Sequence, residues 1–217
     1  MTGAPHAPGA PPVPPAPAAK RDRVFTAANL LTFLRIGLIP FFAIALVYGH
    51  AGWALALFAI AGVSDGIDGT LARMMKQESE LGTVIDPIAD KLLMTTAFIM
   101  ISLPSVMGTA RHLPVPFWVT ATVIGRDVAI VCVAASITLM TGFRGFQPSW
   151  LGKASTFVQV VGVLLVLIAA VFNVDNGLFL PATYFVVAAF AVASGVHYIY
   201  HVARLMKAAD KSDDSPA

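Results

Sequence analysis

Six apolar stretches, each long enough to cross a bilayer as a helix, occupy most of this sequence of 217 residues. A helix that spans the hydrocarbon core needs about 20 largely apolar residues. No alternating strand pattern is visible, so we predict an all-α integral membrane protein with six transmembrane helices in one bundle. The six predicted spans cover residues 30–48, 53–72, 87–103, 115–140, 156–172 and 178–200.

The composition supports a membrane environment. The chain is 57% hydrophobic and only 12% charged, whereas soluble domains carry roughly 25% charged residues. The net charge of +2 is too small to suggest a nucleic-acid partner. The single cysteine, Cys132, has no partner for a disulfide within the chain and is expected to be a small apolar side chain in the core.

The two ends of the chain differ from the apolar middle. Residues 1–23 are rich in alanine and proline, and we predict a disordered tail because such a segment buries too little apolar surface to fold. Residues 24–206 form the predicted six-helix domain, and 207–217 a flexible C-terminal tail. Within the domain, residues 24–29 are a candidate for a short interfacial helix before the first span.

Lysine and arginine residues lie mainly before the first span, in alternate loops and after the last span. The other loops carry only Arg111. Because cytoplasmic loops are enriched in these residues, we predict that both termini are cytoplasmic, in a bacterial-type inner membrane.

Four aspartates lie where two predicted spans meet. Asp65 and Asp68 are three residues apart and Asp86 and Asp90 four apart, so each pair shares one face of a helix. The intervening loop is short, so the two helices should be antiparallel neighbours whose carboxylates meet near the cytoplasmic boundary. Ionisable groups at membrane depth are costly and usually mark a functional site.

Four carboxylates in a medium of low dielectric constant cannot all stay ionised unless cations compensate them. Oxygen ligands favour hard ions such as Mg²⁺ or Mn²⁺, and two such ions can clamp a phosphoryl group. Gly66 and Gly69 would allow a ligand to approach the helix backbone, and Arg73 could bind a phosphate. In the alternative interpretation, the acids only reach toward the interface or pair with Arg73 and Lys91.

The spacing of these residues resembles the signature of the CDP-alcohol phosphotransferase (CDP-alcohol phosphatidyltransferase) family, D-x2-D-G-x2-A-R-x8-G-x3-D-x3-D. Every fixed position of that signature is filled here, by Asp65, Asp68, Gly69, Ala72, Arg73, Gly82, Asp86 and Asp90.

The resemblance implies a phosphatidyltransferase that moves a phosphatidyl group from CDP-diacylglycerol to an alcohol and releases CMP. It implies six transmembrane helices, a homodimer and a two-metal site of Mg²⁺ or Mn²⁺. Asp90 would also be the catalytic base. The metal ligands would be Asp65, Asp68, Asp86 and Asp90, and the nucleotide site would include Gly69, Ala72, Arg73 and Gly82.

Stretches at 29–40, 85–93 and 151–159 resemble enzymes of anionic glycerophospholipid synthesis, which include eukaryotic-type cardiolipin synthase and phosphatidylglycerophosphate synthase. Residues 112–131 and 194–207 favour the former, whose acceptor is phosphatidylglycerol. Alternative acceptors are glycerol 3-phosphate and, less favoured, inositol phosphate or another alcohol.

Three basic residues are candidates for binding the acceptor phosphate: Arg126, Arg144 and Lys153. For Arg126 the alternative is a buried ion pair with Asp127 or with a catalytic acid. For Arg144 and Lys153 the alternative is that they only follow the charge rule for cytoplasmic loops.

Two other classes of function share part of this pattern. A divalent-cation transporter would use an intramembrane acid cluster, but such sites usually lie near the bilayer midplane between repeats. A membrane prenyltransferase also binds diphosphate through aspartates. The Asp68-Gly69 and Ala72-Arg73 pairs argue against it.

Overall fold

The structure is a computed structural model, and it describes residues 27–75, 80–108, 113–141, 150–174 and 177–213. Within these ranges, the side chains of 27–29, 31, 65–75, 80–84, 140–141 and 205–213 lie outside the description.

Every regular element in the described ranges is an α-helix, which confirms the prediction of an all-helical protein. Six helices are long, and each contains most of one predicted span. The seven helices are α1 (Ala27–Val47), α2 (Ala51–Met75), α3 (Glu80–Ser102), α4 (Pro104–Met107), α5 (Phe117–Thr141), α6 (Trp150–Phe172) and α7 (Phe179–Asp213).

Several helices extend beyond the apolar stretches that predicted them. The sixth helix begins at Trp150 rather than at residue 156, and α7 continues to Asp213, past the predicted domain end at 206. Apolar residues mark the part of a helix that suits the bilayer core, whereas the backbone hydrogen bonds continue into polar sequence. The short helix α4, with Pro104 in its first turn, was not predicted.

The predicted interfacial helix at 24–29 is not seen as a separate element. Residues 27–29 belong to α1, which continues without a break to Val47, and residues 24–26 lie outside the described part of the chain.

Among the described residues, three helical segments are long and apolar enough to cross a membrane: Phe117–Leu139, Trp150–Phe172 and Phe179–Arg204. Two shorter apolar segments, Thr32–Val47 and Ala51–Ser64, lie in α1 and α2. Large apolar side chains are also exposed on the outside of the bundle, which suits contact with lipid. The chain is therefore an integral membrane protein. Examples of these exposed residues are Phe41, Trp53, Phe117, Leu139, Phe157 and Phe185. The prediction that Cys132 lies in the core is wrong, because its side chain is exposed on α5.

The first helix packs against both α2 and α3, while α7 packs against α5 and α6. The rings of Phe42 and Phe58 join α1 to α2, with centroids 5.7 Å apart. Small buried residues, including Ala54, Ala61 and Ala191, allow the helices to approach closely. The fold thus places α3, with two of the four aspartates, directly on α1.

At Gly162, α6 packs tightly against α7. A β-carbon added at Gly162 would lie 2.6 Å from Val187 Cγ2, and valine has little rotamer freedom in a helix. We therefore expect Gly162→Ala to lower the free energy of unfolding by about 1–3 kcal/mol. The measurement is the thermal unfolding midpoint of the purified protein in detergent.

Gly37→Ala is the matched control, since nothing lies within 4 Å of a β-carbon at that helical position. It should leave the midpoint unchanged or raise it, because alanine favours helix over glycine. Adding Val187→Ala to Gly162→Ala should restore much of the lost stability. A Gly162→Ala protein that is as stable as the parent would contradict the packing described here.

Candidate functional site

The four aspartates lie on two consecutive helices. Asp65 and Asp68 are in α2, Asp86 and Asp90 are in α3, and only residues 76–79 separate the two helices. Two consecutive helices therefore carry the aspartates, as expected from the sequence. Their antiparallel packing, with the four carboxylates together, stays a prediction. Both helices pack on α1. The side chains of Asp65, Asp68, Gly69, Ala72, Arg73 and Gly82 lie outside the described part of the chain.

Asp86 is held by a hydroxyl group of the first helix. Thr32, which is almost fully buried, donates a hydrogen bond from Oγ1 to Asp86 Oδ1. A neutral donor orients the carboxylate without neutralising its charge. Thr32 was missed as a site residue, although it lies in the stretch 29–40 that carried part of the resemblance.

Arg35 lies one helical turn after Thr32 and is also almost fully buried, at 1% exposure. Positions three apart share one face of a helix. The buried side of α1 is therefore polar around Thr32 and Arg35. The sequence pattern that could have predicted this buried polar surface is a threonine and an arginine three residues apart within an apolar helix.

A second polar cluster joins α3 to α5. Lys91 Nζ lies 2.6 Å from Asp127 Oδ2, and Arg126 NH1 donates to Asp127 Oδ1 at 2.6 Å. One carboxylate therefore bridges two cations. Lys91 directly follows Asp90, so this cluster borders the aspartate motif.

The same arginine connects three helices. Arg126 is buried, and its NH2 group donates to Ser194 Oγ of α7 at 2.5 Å and to the Gly152 carbonyl of α6 at 3.5 Å. Its Cγ is near Gly195, where an added β-carbon would lie 3.5 Å away. The ion pair with Asp127, given above as the alternative for Arg126, is present. Binding of an acceptor by Arg126 stays a prediction.

The other two acceptor candidates are not brought into this cluster by any contact described. Lys153 is exposed near the start of α6, and Arg144 lies outside the described residues. Near Lys153, Thr156 donates to the Gly152 carbonyl at 3.2 Å and Gln159 to Ser155 at 3.2 Å. Ser155 and Gln159 are buried polar residues near the start of α6, whose buried side is otherwise apolar or glycine.

A divalent cation such as Mg²⁺ or Mn²⁺ needs several oxygen ligands close together. Among the described residues, no three His, Cys, Asp or Glu side chains lie together, but two of the four predicted ligands, Asp65 and Asp68, fall outside that search. Asp86 and Asp90 lie one turn apart on α3 and are both partly accessible. Carboxylate oxygens fit Mg²⁺ or Mn²⁺ better than softer metals.

Comparison with known proteins adds independent information. The family model described as CDP-alcohol phosphatidyltransferase matches residues 25–198, which covers α1 and most of α7. That range includes all four aspartates and the cluster around Arg126.

Three relatives illustrate the similarity. A cardiolipin synthase (CMP-forming) of Streptomyces coelicolor is 34% identical over 154 residues, which is 68% of this chain and 67% of the relative. The enzyme of the same name from Rattus norvegicus is 31% identical over 199 residues, 84% of this chain and 63% of the relative. A Mycobacterium tuberculosis protein named "Probable phosphatidylglycerophosphate synthase" is 38% identical over 152 residues, 67% of each.

The family predicted from the aspartate spacing is confirmed by these matches, and a transporter or a prenyltransferase is not supported. The matched range contains the helix pair that carries the complete motif, with its glycines and Arg73 at the expected positions. This chain belongs to the CDP-alcohol phosphatidyltransferase family and is a transferase of phospholipid biosynthesis.

Proposed function

We propose that this enzyme transfers a phosphatidyl group from CDP-diacylglycerol to a glycerol-type hydroxyl and releases CMP. The observation that carries the proposal is the position of Asp90, which lies between the metal-ligand candidate Asp86 and the cation Lys91 on α3. The carboxylates of Asp86 and Asp90 suit a metal-bound diphosphate. The basic cluster that contains Lys91 suits an anionic acceptor.

Asp90 is the proposed catalytic base. Its carboxylate takes the proton from the acceptor hydroxyl, whose oxygen forms a new bond to the phosphorus that carries the diacylglycerol group. The bond from that phosphorus to the CMP oxygen breaks, and the electron pair leaves with CMP. A carboxylate within hydrogen-bonding distance of the attacking hydroxyl is suited to this proton transfer.

Asp65, Asp68, Asp86 and Asp90 are the proposed ligands of two Mg²⁺ or Mn²⁺ ions, which would supply positive charge to the diphosphate when bound. Thr32 supports this role, because its hydrogen bond fixes the orientation of Asp86. The cytidine nucleotide would lie along α2 and the start of α3. The residues proposed to line that part of the site are Gly69, Ala72, Arg73 and Gly82.

For the acceptor we favour phosphatidylglycerol, as in a cardiolipin synthase. Two of the three relatives described above carry that name, and the match to the rat enzyme covers 84% of the chain. Glycerol 3-phosphate is the second candidate, favoured by the 38% identity to the mycobacterial relative. In either case Arg126, Arg144 and Lys153 are candidates to supply positive charge on the acceptor side.

We also propose the membrane arrangement expected of the family. The six long helices each cross the bilayer, both termini lie in the cytoplasm, and two copies form a homodimer in a bacterial-type inner membrane. The alternation of basic loops supports the orientation. The three segments that meet the length and hydropathy requirement among the described residues all belong to these six helices.

The test is a lipid-product assay of the purified enzyme with CDP-diacylglycerol and Mn²⁺. Phosphatidylglycerol and glycerol 3-phosphate are offered separately, and CMP and the lipid product are both measured. We expect CMP and cardiolipin with phosphatidylglycerol. Product formed only with glycerol 3-phosphate would select the second candidate. If CMP is released with neither acceptor, both candidates are refuted.

A further inference from the structure

The cluster around Asp127 contains two cations that differ in access. The Lys91 side chain is 39% exposed, whereas that of Arg126 is only 7% exposed. Both terminal nitrogens of Arg126 have protein partners: Asp127, Ser194 and the Gly152 carbonyl. Its terminal groups are therefore committed to protein contacts, and Lys91 is the cation of the pair that a ligand can reach.

The charges in this cluster do not cancel. One carboxylate faces two cations, which leaves one positive charge in a region where charge is costly. An ammonium has three N–H donors, and the contact with Asp127 uses one of them. A surplus positive charge on an accessible side chain with spare donors favours binding of an anionic oxygen.

We propose that Lys91 binds the phosphate of the acceptor's glycerophosphate group. Asp127 is the positioning residue that holds Lys91, and Arg126 in turn holds Asp127. The inference rests on the proposed function. Glycerol 3-phosphate and phosphatidylglycerol share a hydroxyl separated by three carbons from a phosphate ester. Consecutive residues of α3 would thus engage the two ends of one group: Asp90 the hydroxyl, and Lys91 the phosphate.

The test compares Lys91→Met with the parent enzyme on three acceptors: glycerol 3-phosphate, phosphatidylglycerol and glycerol, which lacks the phosphate. We expect the KM for a phosphorylated acceptor to rise roughly 10- to 100-fold, as for loss of a charged hydrogen bond. Activity with concentrated glycerol and the KM for CDP-diacylglycerol should change little. A rise confined to one phosphorylated acceptor identifies the source of the phosphate that Lys91 binds.

An equal loss with all three acceptors, or no loss with any, would overturn the proposal. The double variant Lys91→Met/Asp127→Asn tests whether Lys91 binds the acceptor phosphate or only neutralises the charge of Asp127. If Lys91 only neutralises Asp127, the double variant should recover the parent's acceptor KM. Under the proposal it stays impaired with phosphorylated acceptors.

Ser136→Ala is the control for an unrelated change in α5, since the Ser136 hydroxyl is exposed and bonds only the Cys132 carbonyl of its own helix, at 2.8 Å, among the described contacts. Its acceptor KM should match that of the parent. Failure of the proposed function is distinct, because the parent enzyme itself would then release no CMP with any of the acceptors.

Discussion

An Asp90→Asn variant is expected to release CMP about 10²- to 10⁴-fold more slowly than the parent enzyme, the usual contribution of a positioned base. Asparagine nearly preserves the shape of the side chain but cannot accept the proton of the acceptor hydroxyl. The measurement is the rate of CMP release at saturating CDP-diacylglycerol and phosphatidylglycerol. Ser136→Ala, measured in parallel, should retain the parent's rate.

A titration with Mn²⁺ separates the two roles assigned to Asp90. If this residue acted only as a metal ligand, a saturating concentration of Mn²⁺ would restore the rate of the Asp90→Asn variant. Because we assign proton transfer to the same carboxylate, the rate should stay low at every Mn²⁺ concentration. Full recovery at high Mn²⁺ would remove Asp90 from the role of base.

Removal of divalent metal is expected to slow CMP release at least as much as the Asp90→Asn change does. Dialysis against EDTA should reduce CMP release to background, and Mg²⁺ or Mn²⁺ should restore it. The reason is that the aspartates repel one another and the diphosphate when no cation lies between them. Metal binding should also stabilise the folded protein, by about 2.7 kcal/mol at a concentration 100 times the Kd.

Metal binding can also be measured without an activity assay, through the thermal unfolding midpoint. Mn²⁺ should raise the midpoint of the parent protein but not that of an Asp65→Asn/Asp68→Asn variant. Gly37→Ala, which lies outside the motif, should respond as the parent does. A parent protein with full turnover in EDTA would exclude a metal role for the aspartates.

The helices could be predicted from the sequence because the bilayer imposes a length requirement that apolar stretches reveal directly. Their ends could not, since the hydrogen-bond ladder of α7 continues to Asp213 through polar sequence that a hydropathy pattern ignores. The four-residue helix α4 is too short to produce any periodic signal.

The aspartate motif was predictable because its chemistry depends on spacing within two consecutive helices. The contacts of Lys91 and Thr32 were not. Lys91 pairs with Asp127, 36 residues later in the chain, and Thr32 bonds Asp86, 54 residues later. Such partners depend on how helices that are distant in the sequence pack, which residue spacing does not reveal. For Arg126 the sequence left two interpretations open, and the structure shows the ion pair of one of them.

The contacts of Arg126 also bear on how the chain is assembled during biosynthesis. Helices enter the bilayer in chain order, so α5 arrives before the groups on α6 and α7 that bind its arginine. An arginine at a helix centre costs about 2.5–3.5 kcal/mol on the insertion scale, and Asp127 on α5 itself offsets part of that cost. Ser194 becomes available to Arg126 only when the last helix has entered. In a nascent chain that lacks α7, Arg126 therefore lacks its Ser194 partner, and the bond that ties α5 to α7 forms only in the complete bundle.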